Sequence, residues 1–352
     1  MDFAIDDNTD ESPMKQISPE RVQLTAAEGR TLGINALMKA GYDEEQATVI
    51  AEHVMDAALC GYEYSGLPKI LNVIEHRNLV KPRRRLKTVY ETPISALVDG
   101  GNNCGMYTLM RAAEMAIAKA KEHGIGIIGM NNSWMSGRGA IFVETIARAG
   151  MIGIHTVSST RHVAPPGAAK PAYGTNPLSF GFPTAGDPFV IDMGTSAFMS
   201  TDLQFRQRRK ELIPEGVAID KDGKPTRDAD AAAQGELLAF GGYKGFALAM
   251  AAQALGVFAG SGRDQEGNYG YLMMALKPDL LLPLDEYRKQ LSETLSRIKA
   301  TPKQPGVTDI RLPGERSFKE REKLLREGIV IDKFIYERLS NIPEGKLPPF
   351  SE

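Results

Sequence analysis

ISALVDGGNNCGMYTLMRAAEMAIAKAKEHGIGIIGM, Ile94 to Met130, decides the fold. ISALVDG reads as a strand that enters a turn at Asp99-Gly100. MRAAEMAIAKAKEHG carries apolar residues at helical spacing and stops at Gly124, a residue suited to the left-handed end of a helix. IGIIGM is a short continuous apolar run, the pattern of a buried strand. MIGIHTVSS (Met151 to Ser159) and PFVIDMGTS (Pro188 to Ser196) repeat the strand pattern downstream. Strands alternating with helices predict a layered α/β domain whose strand-end loops are available to a ligand.

Working outward, the apolar residues from about Thr25 to Val80 recur at helical spacing. In LGINALMKAGYDEEQATVIAEHVMDAAL, Gly41 ends one helix and Asp43 can cap the next. The basic run KPRRRLK (Lys81 to Lys87) has no interleaved aromatic residue and reads as a solvated connector. GVAIDKDGKPTRDADAAA (Gly216 to Ala233) is a polar excursion with a Lys-Asp-Gly turn, and GGYKGFALAMAAQALGVFAG (Gly241 to Gly260) is a helix opened by glycines. RSFKEREKLLREGIVIDKFIYERLSNI (Arg316 to Ile342) returns to charged helix with a break at Gly328. The expected organisation is a loose tail at 1–17, a discontinuous helical domain from 18–92 and 308–352, and an α/β domain at 93–307.

Composition sets limits on function. The 352 residues, 42% hydrophobic and 24% charged, suffice for a large core, and 42 basic against 44 acidic side chains give no global pull toward nucleic acid or membrane. Two cysteines, Cys60 and Cys104, are too few for a disulfide framework or a zinc cluster, so a cytoplasmic protein is expected. The acidic N-terminus lacks the layout of a signal peptide, and no apolar run approaches the length of a membrane span.

Common phosphate and metal motifs are missing. There is no Gly-x-Gly-x-x-Gly between a strand and a helix near the N-terminus, no P-loop, no Gly-x-Ser-x-Gly and no Cys-x-x-Cys. The five histidines show no i, i+4 pairing, so no metal site is expected. GGNNCG (Gly100 to Gly105) matches no fingerprint and fits a tight turn. What remains is a run of small, hydrogen-bonding loops between about 131 and 202: NNSWMSGRG, SSTRHVAPPGAAKPAYGTNP and DMGTSAFMSTD.

VDGGNNCGMYTLMRAAEMAIAKAKEHGIGIIGMNNSWMSGRG, then APPGAAKPAYGTNPLSFGFP, FVIDMGTS, IPEGVAIDKDGKPT, FGGYKGFALA and RLPGERSFKERE, resembles the malate/L-lactate dehydrogenase family of the non-Rossmann type. That family includes ureidoglycolate and sulfolactate dehydrogenases, diketogulonate reductase and piperideine- or pyrroline-carboxylate reductases. The match runs in order from about Thr25 to Leu339 and rests on GTNP, GGYKG and PGER together. The resemblance implies a homodimer, a central mixed sheet with a helical domain made from both chain ends, and NAD or NADP bound without a Gly-x-Gly-x-x-Gly loop. No residue that would read the ribose stands out, so both cofactors remain open. Cofactor contacts implied by the resemblance fall on Ser136, Gly137, Ser159, Asp192, Met193, Gly194, Lys244, Pro313, Gly314 and Glu315. Asp192 reads equally as a structural carboxylate, and GGYKG as a packed helix start.

The resemblance also has breaks. Many members of the family carry Ser-His-Gly with an arginine four residues after the histidine; in GYEYSGLPKI, Tyr64 replaces the serine, Ser65 the histidine and Lys69 the arginine. A second family histidine, the usual acid/base, is replaced by Met135, whose thioether exchanges no proton at neutral pH. Asp202 aligns with an aspartate that takes part in catalysis in the family's cyclic-imine reductases, and by that resemblance it is a candidate catalytic residue together with Tyr64 and Ser65, with His162 a further proton source and His155 read as a core histidine. Lys69, Met135 and Thr175 are the candidate substrate contacts that the resemblance implies, although Lys69 reads also as a surface charge and Thr175 as part of a turn fixed by Asn176-Pro177. Trp134 offers π surface for a flat ring or for the core. The expected reaction is hydride transfer between nicotinamide and C2 of a small carboxylate-bearing ketone, hydroxy acid or cyclic imine. Imines gain weight because an iminium needs no further proton. Two alternatives stay open: a nucleotide-binding protein of this fold without turnover, and an enzyme using the pocket for another reaction.

Overall fold

A computed structural model describes residues 20–168, 170–263, 269–348 and 350, so the expected tail at 1–17 lies outside the described residues. The chain enters through β1 (Arg21–Leu24) and turns into α1 (Ala26–Lys39) at a reciprocal cap: Thr25 Oγ1 accepts the Glu28 N–H, and the Glu28 carboxylate accepts the Thr25 N–H. Gly41, at φ +101°, reverses the chain. Asp43 then caps α2 (Glu44–Leu59) by accepting the Gln46 N–H at 2.8 Å. A 3-10 turn at Glu63–Ser65 leads to α3 (Pro68–Ile74), opened by a proline whose missing N–H costs nothing there. These helices bury Ile50, Val54, Met55, Leu67 and Ile70 in one apolar cluster.

β2 (Lys87–Glu91), β3 (Ser95–Cys104), α4 (Gly105–His123), β4 (Ile125–Trp134), α5 (Ala140–Arg148), β5 (Ile152–Ser158), β6 (Leu178–Phe182) and β7 (Phe189–Met193) follow. After α6 (Ser200–Arg209), β8 (Ala218–Ile219), α7 (Ala229–Gln234) and β9 (Glu236–Leu237), the chain runs through α8 (Tyr243–Phe258), β10 (Gly270–Leu276) and α9 (Leu284–Lys299). It ends with α10 (Glu315–Glu327), β11 (Ile329–Asp332) and α11 (Lys333–Ser340).

The central sheet is mixed, with order β2-β3-β4-β10-β5-β6-β7; only β3 and β4 pair parallel. α4 and α5 cover one face and α8 the other. Gly126 of β4 faces Ala116 of α4, while Gly129, on the opposite side of the same strand, faces Ala259 at the end of α8. β8 and β9 pair apart from this sheet and, with α6 and α7, close a small apolar cluster around Val163, Tyr173, Leu203 and Leu237.

Four sequence readings change. The α/β sheet begins before residue 93, because β2 pairs with β3. KPRRRLK is not wholly solvated: Arg83 is buried, donates to Gln46 Oε1 at 3.0 Å and lies over the rings of Tyr42 and Phe350. Asn131–Trp134 belong to β4, since Ser133 and Trp134 register with Asn103 and Cys104 of β3. The break at Gly328, φ +85°, releases a strand rather than more helix. β11 alternates buried and half-buried residues and pairs antiparallel with β1, Arg21 opposite Asp332, which ties the two chain ends together.

Candidate active site

A cleft of about 450 Å³ opens where the helical layer meets the ends of the central strands. α3 and the segment after it contribute Lys69, His76, Arg77 and Asn78, and the exit of β4 contributes Met135, Ser136 and Gly137. Ser159, Thr160 and His162 follow β5, Thr175 and Pro177 precede β6, and Met199 to Thr201 with Gln204 come from the start of α6. Tyr269 closes the wall before β10. Seven of the residues assigned from the sequence therefore share one cavity: Lys69, Met135, Ser136, Gly137, Ser159, His162 and Thr175.

The β4 exit is sharply bent, with φ of +48° at Asn132, +59° at Met135 and +74° at Gly137. A side chain at position 137 would collide with the ring of His53. That ring lies within α2, fully enclosed, and its Nε2 accepts the Arg138 N–H at 2.9 Å. Burial, with the nearby cations of Lys69 and Arg138, pushes His53 down to about 3, so it stays a neutral acceptor. Arg138 in turn donates to Asp56 Oδ2 at 2.6 Å. The loop is thus held from the helical side by an imidazole and a carboxylate.

Trp134 is 1% exposed, stacks on His76 with centroids 4.3 Å apart and planes 1° from parallel, and donates its indole N–H to Asn102 O. It belongs to the core and not to the cavity wall. His76 Nδ1 accepts the Asn78 N–H at 3.2 Å, which leaves its proton on Nε2. Lys69 is 5% exposed, and its ammonium makes no hydrogen bond or ion pair among the described residues. Burial pushes its ammonium down to about 8.

On the far wall, Asn176, at φ +34°, organises the GTNP turn. Its Oδ1 accepts the Ser159 N–H, and its Nδ2 donates to Ala249 O and Gln253 Oε1. Thr175 O accepts both the N–H and the hydroxyl of Thr195, which ties the loop after β7 to the one before β6. His162, lowered by burial, faces Thr160 Oγ1 at 3.0 Å. His155 is buried in β5 with Nδ1 on Leu272 O, as a core histidine.

The remaining assigned residues lie elsewhere. Tyr64 and Ser65 occupy the 3-10 turn outside the cavity lining, and burial raises the Tyr64 phenol. Asp202 is in the first turn of α6, 3.4 Å from Arg206 Nε, and burial raises its carboxyl against that pairing. The Asp192 carboxylate accepts the Ala140 N–H and the Ser179 hydroxyl, fixing the start of α5 to β7. Its neighbour Met193 is exposed, and Gly194 leads into Ser196, which bridges to Ala239. Pro313 and Glu315 line a separate groove beside β7, where Glu315 holds Lys299 at 2.7 Å and Gly314 lies against the Val190 carbonyl.

A dinucleotide needs backbone N–H groups and positive charge for its phosphates. Gly241 and Gly242, at φ +55° and +60°, precede the N-terminus of the sixteen-residue α8, and Gly242 has open space where a side chain would stand. Lys244 is exposed in the first turn. Phe240 N–H donates to Thr195 O, so this cradle adjoins the loop after β7. The residues present fit such a cofactor.

Sequence motifs did not point to His76, Arg77 or Tyr269, whereas Thr160 and Met199 fall in the quoted loops.

Residues 24–340 match the family described as malate/L-lactate dehydrogenase. Malate/(S)-sulfolactate dehydrogenase of Methanothermus fervidus is 33% identical over 341 residues, covering 93% of this chain and 97% of that one. Delta(1)-pyrroline-2-carboxylate/Delta(1)-piperideine-2-carboxylate reductase of Pseudomonas syringae pv. tomato is 32% identical over 318 residues, with 86% and 91% covered. Malate dehydrogenase from Pyrococcus horikoshii OT3 superposes with a TM-score of 0.82 at 27% identity, covering 93% and 96% of the two chains. With fold, strand-end cleft and glycine cradle in agreement over nearly its whole described length, the chain belongs to the malate/L-lactate dehydrogenase family.

Proposed function

We propose that this oxidoreductase binds NAD or NADP and moves hydride between the nicotinamide and C2 of a small carboxylate-bearing ketone, hydroxy acid or cyclic imine. The observation that carries the reading is Lys69: a nearly enclosed ammonium without a partner among the described residues, in a cavity whose described lining includes Arg77 but no carboxylate. An unpaired buried charge is costly, and a ligand carboxylate would offset that cost. The Thr175 hydroxyl supplies a second contact, and Met135 an apolar wall. Ser136, Gly137, Ser159 and the backbone of Asp192 to Gly194 would hold the nicotinamide ribose. Gly241, Gly242 and Lys244 would hold the phosphates, with Pro313 to Glu315 farther along.

When bound, the nicotinamide supplies or accepts the hydride; the chain orients the reactants and excludes water. Tyr64, Ser65 and Asp202 stay as secondary candidates for proton transfer. The Asp202 carboxylate is near enough to raise the charging cost of the Tyr64 phenol, and α6 packs on the turn that carries Tyr64. A cytoplasmic homodimer is the setting family membership favours, and sedimentation of the purified protein checks the dimer. No specific observation favours a binding protein without turnover.

The test is binding and turnover. NADH or NADPH should gain fluorescence on mixing, and a panel of 2-keto acids, 2-hydroxy acids and cyclic imines should show oxidation or reduction at 340 nm. Absence of any cofactor response would overturn the reading.

A further inference from the structure

Resting on the proposed reading, we infer that Lys69 gives and takes the proton at the substrate oxygen, as a catalytic residue and not only as an anchor for the carboxylate. The Met135 to Gly137 loop has no side chain fit for that task. The other titratable groups on the described wall all have partners. His76 keeps its proton on Nε2 because Nδ1 accepts the Asn78 N–H, and its ring is held flat against Trp134; it can donate a hydrogen bond but has no open lone pair. His162 Nε2 and the Tyr269 hydroxyl both face Thr160 Oγ1, at 3.0 and 3.5 Å. Lys69 alone among the lining cations is at once nearly enclosed and without a partner among the described residues.

Its surroundings favour exchange. The titratable and charged groups near it are His53 on α2 and Cys104 at the end of β3, with His76, Arg77 and His162 around the cavity. Burial brings the ammonium to about 8, where amine and ammonium interconvert near neutrality. A bound carboxylate restores the charged form, which is the form reduction requires.

In the reducing direction the C2–O π bond opens as C2 takes hydride, and the freed oxygen electron pair takes a proton from Lys69 Nζ. The ammonium becomes an amine and regains its proton from water at the cavity mouth. In the oxidising direction the amine takes the hydroxyl proton as C2 gives up hydride. An iminium substrate arrives with its nitrogen already protonated, so there Lys69 contributes charge alone.

Lys69→Arg separates the two roles, because a guanidinium holds a carboxylate but does not release a proton near neutrality. With a keto acid or hydroxy acid, kcat should fall about 100-fold while KM stays within about threefold, and the basic limb of the pH profile should vanish. Cofactor fluorescence should be unchanged, which keeps this failure distinct from failure of the proposed function. The native protein gives an independent readout. Nitrogen-15 NMR of its lysine ammonium groups should show one signal titrating near 8, absent from Lys69→Arg. A kcat within threefold of the native value, or every lysine titrating together at the ordinary value, would overturn the inference.

Discussion

His53 and Arg138, 85 positions apart, are joined by a single hydrogen bond, Nε2 accepting the backbone N–H at 2.9 Å. The bond needs an unprotonated ring. Folding depresses this imidazole from its ordinary 6.5 to about 3, so the unfolded chain binds the extra proton between those values. The stabilisation is therefore complete above pH 6.5 and is lost as pH falls from there toward 3. In His53→Gln, the slope of unfolding free energy between pH 6 and 4 should become shallower by about 1.4 kcal/mol per pH unit, the value of one proton. Trp134, the sole tryptophan and buried, reports unfolding in denaturant titrations.

Arg321 of α10 clamps two carboxylates, Glu144 of α5 through both oxygens at 2.7 and 2.8 Å and Asp56 of α2 at 2.7 Å. Asp56 also holds Arg138, so this knot ties the helical layer to the site loop. Arg321→Met leaves Glu144 and Asp56 short of charge compensation and should cost about 3–5 kcal/mol in denaturant unfolding. A loss below 1 kcal/mol would show that the knot is solvated.

Met135 adopts φ +59°, a conformation that histidine enters more readily than most residues. Met135→His should fold, raise kcat toward 2-keto acids at least about tenfold and add a pH limb near 6.5, since acid/base help is worth about 100- to 10,000-fold. Placed on Lys69→Arg, the same change should recover part of the lost turnover. Steady-state kinetics across pH 5 to 9 check both.

Lys244 is exposed beside the glycine cradle, so removing its charge should leave folding unaffected. Lys244→Met should weaken NADH or NADPH binding about tenfold, about 1.4 kcal/mol, and flatten the salt dependence of the dissociation constant. An unchanged affinity in fluorescence titrations would move the phosphates away from α8.

Much of this was legible in the sequence where a local rule decides the structure. Gly124 ends α4 at φ +85°, Asp43 caps α2, and the alternation of strand and helix from Ile94 onward appears as β3, α4 and β4. The quoted motifs gave the family, which the profile match and the superpositions bear out. What escaped depends on distant partners. Arg21–Leu24 forms a strand only because Ile329–Asp332 lies opposite it. Trp134 joins the core because His76 lies flat against it. Seven of the assigned site residues meet in the cavity, but the side of it formed by His76, Arg77 and Tyr269 comes from segments without a motif.

The middle of the sheet is built late. β10, antiparallel to both neighbours, fills the gap between β4 and β5, although its residues 270–276 follow those strands by more than a hundred positions. Until that segment leaves the ribosome, β4 and β5 each present an unsatisfied row of backbone donors and acceptors. Chains released before residue 270 should accordingly self-associate through those rows, whereas chains released after Leu276 have the strand that caps them. The sheet's last-made strand thus acts as an internal gatekeeper against aggregation during synthesis.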